Sequence, residues 1–301
     1  MMQALKGVRH VTSSTMKQAV SELSVAVPWG EIRGKVWGPD HGRPVLCLHG
    51  WADNCGTFNA LLPLLPKEFR YVAVDLAGHG CSSHRPPGVL YAFPSYVMDV
   101  RRVIDALQWS KFTIIGHSMG DALYPEMVNA VVLLDSYGFL PTDPVLFSFS
   151  TSVFMGKGFD EMLQFEKKME EEKKRVYTYK KAVERLMSVN QTLSERSAKI
   201  LLERGAIQVD GGKCLSSSFL LSKGTNIARI TLEQNILLPL HFNLLHDWHH
   251  LSFQHAVVTV PGDHHIHLNN PDVVAPVLSD FLQTKVLSHS DTPTNVQTSK
   301  L

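Results

Sequence analysis

Short apolar runs rich in valine, isoleucine and leucine recur along the first half of the chain, each closed by glycine or a polar residue. Residues 44–48, 71–76, 112–115 and 130–134 are near-continuous apolar stretches of strand length. Runs without alternation belong to strands buried on both faces, as in a parallel sheet. Residues 24–27 and 31–37 read as a hairpin turning around Pro28, Trp29 and Gly30. Between such runs the period changes: in 96–108, Val97, Val100, Val103, Ile104 and Leu107 fall on one helical face. A late strand at 256–260 and a closing helix at 272–284 repeat the alternation. Strand alternating with helix predicts an α/β fold, a mostly parallel central sheet flanked by helices.

The stretch 160–204 breaks this rhythm. It is dense in Glu, Lys and Arg, with Met162, Phe165 and Met169 at helical spacing, and is expected to form solvated helices. Lying between the fourth buried strand and the last one, it suits a helical lid over about 141–210. Residues 1–20 and 286–301 read as flexible ends around a domain at 21–285.

Composition narrows the functional classes. With 44% hydrophobic and 19% charged residues, the 301-residue chain can bury a large core. A formal net charge of +1 gives no electrostatic reason to expect nucleic acid as a partner. No apolar run reaches the length of a membrane span, and no signal-peptide pattern opens the chain. Four scattered cysteines without a C-x-x-C pair suit reduced thiols inside a cell.

Both ends carry address signals. Ser299, Lys300 and Leu301 form the S-K-L terminus that a peroxisomal import receptor reads, behind a polar stretch at 288–298. Peroxisome is the expected location and cytoplasm the second choice. Residues 1–21 hold Lys6, Arg9 and Lys17 without an acid, a faint transit-peptide pattern that reads better as a frayed terminus.

Residues 116–120 read GHSMG directly after the apolar run 112–115. A G-x-S-x-G placed there is a strand-to-helix turn that presents Ser118 as a nucleophile, with small neighbours letting the backbone pass closely. The run 44–48 ends in His49, Gly50 and Trp51, where a backbone N–H can face a developing oxyanion. The Met119 N–H, after the nucleophile, supplies the second donor. The last strand runs into Pro261, Gly262, Asp263 and His264, and a histidine there is the general base for Ser118.

These segments resemble the α/β-hydrolase superfamily and, within it, the serine hydrolase-like proteins. The matching residues are 45–51 (VLCLHGW), 72–82 (VAVDLAGHGCS), 116–120, 132–135 (VLLD) and 260–264 (VPGDH). The resemblance implies an α/β-hydrolase fold, a small-molecule acyl substrate, Ser118 as nucleophile, His264 as base, and Trp51 and Met119 as oxyanion donors. It implies no metal or organic cofactor, and a serine at position 118 excludes the relatives with an aspartate nucleophile.

The acid of the triad is less plain, because no clean Gly-x-x-Asp follows a penultimate strand. Asp135, closing the run 130–134, is favoured over Asp247, which follows a segment containing Pro239. Asp75 reads as a turn-former. His241, His246, His249, His250 and His255 cluster without the spacing of a zinc motif, so metal binding is not expected.

Two zones depart from the family pattern. Only seven positions separate Ser118 from Pro125, where relatives carry a long helix, and 213–254 lacks a clear Val/Ile-rich strand. An active serine hydrolase on an ester or thioester is therefore weighed against a degenerate member with little turnover. An interaction protein working through 160–204 is a third reading.

Overall fold

The computed structural model describes residues 20–86, 88–89, 91, 93–118, 127–136, 176–209, 212–215, 227–234 and 254–287. Ten strands and five helices lie in these segments: β1 (Val20–Val27), β2 (Gly30–Trp37), β3 (Arg43–Leu48), β4 (Phe69–Val74), α1 (Phe93–Ala106), β5 (Phe112–His117), β6 (Val128–Leu134), α2 (Tyr179–Val189), α3 (Glu195–Gly205), β7 (Ala206–Val209), β8 (Gly212–Leu215), β9 (Ile227–Gln234), β10 (Gln254–Pro261), α4 (Ile266–Asn269) and α5 (Pro271–Phe281).

Eight strands form one sheet in the order β1-β2-β4-β3-β5-β6-β9-β10, and β7 pairs with β8 in a separate hairpin. The centre, β4-β3-β5-β6, is parallel as the apolar runs predict. Both flanks are antiparallel: the β1–β2 hairpin joins β4, and β9 lies antiparallel between β6 and β10. The α/β expectation holds, but the sheet is mixed. The antiparallel β9 falls in the zone where no clear strand is legible, because Arg229, Thr231 and Glu233 interrupt its apolar positions.

The period-two geometry of each central strand divides its side chains between two cores. Val45, Cys47, Tyr71, Ala73 and Ile115 pack on one face with Val274, Leu278 and Phe281 of α5. Leu46, Leu48, Val72, Val74 and Ile114 pack on the other with Tyr96, Val103 and Ile104 of α1. Each central strand is thus apolar along most of its length because each face has its own helical cover.

The α2–α3 pair forms a third cluster, in which Ala182, Leu186, Leu201 and Leu202 meet Leu268. Thr178 and Ser194 cap the two helices, accepting from the N–H groups of Lys181 and Ser197. These helices occupy the second half of the expected lid; Met162, Phe165 and Met169 lie outside the described residues, as do 1–19 and 288–301 of the expected flexible ends, whereas Val20 begins β1 and a helical turn runs on to Leu287.

Candidate active site

The carboxyl ends of β3, β4, β5, β6 and β10 meet at one edge of the sheet, where ligands of open α/β sheets bind. In the β5–β6 ladder the final pair is His117 and Leu134. The next residue on each strand, Ser118 and Asp135, therefore emerges side by side at that edge. Both have left-handed backbones, φ +56° and +46°. Such a conformation costs a non-glycine residue about 1–3 kcal/mol and persists only where surroundings enforce it. For Ser118 one restraint is its N–H, which donates to the Leu134 carbonyl at 3.1 Å.

His264 comes from the loop after β10. Its Nδ1 lies 2.6 Å from Asp135 Oδ2, the distance of a short charge-assisted hydrogen bond. The structure thus brings His264 and Asp135 together at the strand end that carries Ser118. Asp247 lies outside the described residues, as do Met119 and the histidines at 241–250.

Neighbouring groups hold the His264 loop. Asp263 accepts the His265 N–H at 2.8 Å, and Asn269 Nδ2 reaches both Asp263 oxygens at 3.0 Å. Asn269 also binds the α2–α3 connection, donating to the Thr192 carbonyl and accepting from the Ser194 N–H. The helical pair therefore braces the loop that carries His264.

The loop after β3 passes close to the serine. A Cβ built on Gly50 would stand 2.9 Å from Ser118 Cβ, so only glycine permits this approach. Trp51 follows, 47% exposed, with its ring edge-on to that of His79. His49 Nδ1 donates to the Gly50 carbonyl at 2.7 Å and its Nε2 accepts the Leu76 N–H at 2.9 Å. Burial lowers the pKa of His49, which keeps this two-sided link neutral.

Asp75 does more than shape a turn. Its buried carboxylate accepts the N–H groups of Cys55 and Cys81 and the Arg204 Nε–H at 2.8–2.9 Å. Asn54 Nδ2 donates to the Leu201 carbonyl at 2.9 Å. Helix α3 is thereby fastened to the loop after β3 through Asn54 and to the loop after β4 through Asp75. Arg204 gives no signal in the sequence, where it is one charge among many in 160–204.

Packed against the His264 ring lies a group that the motifs do not predict. His117 Nδ1 and His265 Nε2 stand 3.7 and 3.9 Å from Asp53 Oδ2. His267 Nε2 is 2.8 Å from Thr57 Oγ1. Burial raises the Asp53 carboxyl to about 7 and lowers the His265 imidazole to about 3. Among the described residues no group of three His, Cys, Asp or Glu has a geometry that could hold a metal ion.

The α/β-hydrolase fold family matches residues 43–168. A serine hydrolase-like protein of Danio rerio is 49% identical over all of both chains, in an alignment of 333 positions that includes some with no residue here. The serine hydrolase-like protein 2 of Homo sapiens is 37% identical, covering 88% of this chain and 94% of its own. Among solved structures, a hypothetical protein of Pseudomonas aeruginosa superposes with a TM-score of 0.56 at 32% identity, covering 67% of this chain and 72% of its own.

Proposed function

Because the chain belongs to the serine hydrolase-like proteins of the α/β-hydrolase fold family, we propose that it hydrolyses an ester or thioester of a small acyl substrate with Ser118 as nucleophile. The observation that carries this reading is the 2.6 Å contact between His264 and Asp135 beside the strained Ser118. That contact gives the imidazole a carboxylate on Nδ1, so Nε2 is left bare to act as base.

In the proposed reaction Ser118 Oγ bonds to the acyl carbon as its proton passes to His264 Nε2. The carbonyl π electrons move to the oxygen, which rests on the Trp51 and Met119 N–H groups. Asp135 stabilises the imidazolium. The C–O or C–S bond then breaks, and His264 returns the proton to the leaving alcohol or thiol. A water molecule deprotonated by His264 attacks the acyl-serine and releases the acid, restoring Ser118. Ser299, Lys300 and Leu301 would direct the protein to a peroxisomal import receptor, in keeping with a lipid-type acyl group.

A second reading, a degenerate relative without turnover, is favoured by the short link from Ser118 to β6 and by the alignment positions missing from this chain. Fluorophosphonate labelling of the full chain, beside Ser118→Ala and a circular dichroism control, tests both. Labelling abolished by Ser118→Ala supports the hydrolase; a folded wild type that never labels refutes it.

A further inference from the structure

His117 is the variable residue inside G-x-S-x-G, and its side chain points down into the buried group rather than toward the serine's solvent side. Its Nε2 lies 2.8 Å from the main-chain carbonyl oxygen of His264. A carbonyl only accepts, so Nε2 carries the proton and Nδ1, in a neutral ring, is bare. That bare nitrogen faces Asp53 and has no hydrogen-bond partner among the described residues. The ring is packed against the rings of His264 at 4.6 Å, His265 at 5.3 Å and His267 at 4.3 Å between centroids.

We infer that His117 is a positioning residue for the general base: its Nε2–H grips the backbone of His264 and fixes where that imidazole stands relative to Ser118. The inference rests on the proposed hydrolase reaction. One residue links the two loops that must be in register, since His117 precedes the nucleophile in the chain and holds the base by its carbonyl. The geometry is stiff, because the grip is on the main chain and the imidazole has been locked in one tautomer by its acceptor. Burial and the neighbouring His267, His264 and His265 lower the His117 pKa, which favours the neutral ring this role requires.

Loss of the donor lets the His264 backbone drift, and a displacement near 1 Å at a reacting group costs about 100-fold in rate. His117→Phe keeps a ring and removes the donor. His117→Gln places an amide N–H where Nε2 stands. The full-length protein and both variants are labelled with a fluorophosphonate, recording the second-order rate constant and the labelled fraction at completion. The expected result is a rate reduced about 10- to 100-fold in His117→Phe with complete final labelling, and a rate within about threefold of wild type in His117→Gln. A merely structural role would lower the labelled fraction, and with it would leave the rate per folded molecule unchanged. Should His117→Phe not fold, His117→Asn, too short to reach the carbonyl, replaces it with the same expectation. Wild-type rates in the donor-free variant, or a His117→Gln as slow as His117→Phe, overturn the inference. A wild type that never labels instead refutes the hydrolase reading beneath it.

Discussion

Five imidazoles buried among the described residues make this fold sensitive to mild acid. His49, His79, His117, His265 and His267 all have pKa values lowered by burial, His79 and His265 to about 3. Unfolding returns each to about 6.5. A histidine with a depressed folded pKa contributes stability that is fully present above 6.5 and lost as the pH falls below it, because the unfolded chain takes up the proton. Asp53 works in the opposite direction. Its carboxyl is raised to about 7, so the native state holds a proton that the unfolded chain releases between about 4 and 7. At pH 5.5 His79 and His265 together take up about 1.8 protons on unfolding and Asp53 releases about one. That net uptake alone is a slope of about 1 kcal/mol per pH unit, and His49, His117 and His267, lowered in the same direction, add to it. Urea denaturation followed by circular dichroism from pH 7.5 to 5.0 measures that slope. His79→Phe isolates one contributor: it sacrifices the bond to the Ala77 carbonyl at every pH, but should flatten the slope by about 1.4 kcal/mol per unit. A stability that does not fall between pH 7.5 and 5.0, or a His79→Phe slope equal to wild type, would show that these imidazoles are not held neutral.

Asp135→Asn should slow fluorophosphonate labelling of Ser118 by about 10³- to 10⁴-fold with an unchanged circular dichroism spectrum, since the amide no longer selects the reactive tautomer of His264. A reduction under tenfold would remove Asp135 from the triad. Gly34→Ala in β2 should destabilise the fold by about 2 kcal/mol or more, because its Cβ would meet the Ala73 carbonyl oxygen of β4 at 2.4 Å. A urea midpoint equal to wild type would contradict the β2–β4 register that pairs Gly34 with Val74.

The chain by itself determined the central strands, helix α1 and the position of Ser118, because these depend on local period and on a turn motif whose glycines are read in order. His264 was legible for the same reason, as the residue where the last apolar strand ends. Choosing Asp135 over Asp247 required pattern and family likeness together; the structure adds that β5 and β6 end in register, so their next residues share an edge, and that Asp135 contacts His264, while Asp247 lies outside the described residues. The orientation of β9 was decided only by tertiary structure, since antiparallel insertion between β6 and β10 leaves no mark in eight residues of mixed polarity. The same holds for Arg204 and for the group around Asp53. A buried polar residue is recognised by the partner that satisfies it, and here the partners come from distant parts of the chain: Arg204 meets Asp75, and His117 meets the carbonyl of His264. Local sequence sets which groups need a partner, whereas only the folded chain brings that partner within reach.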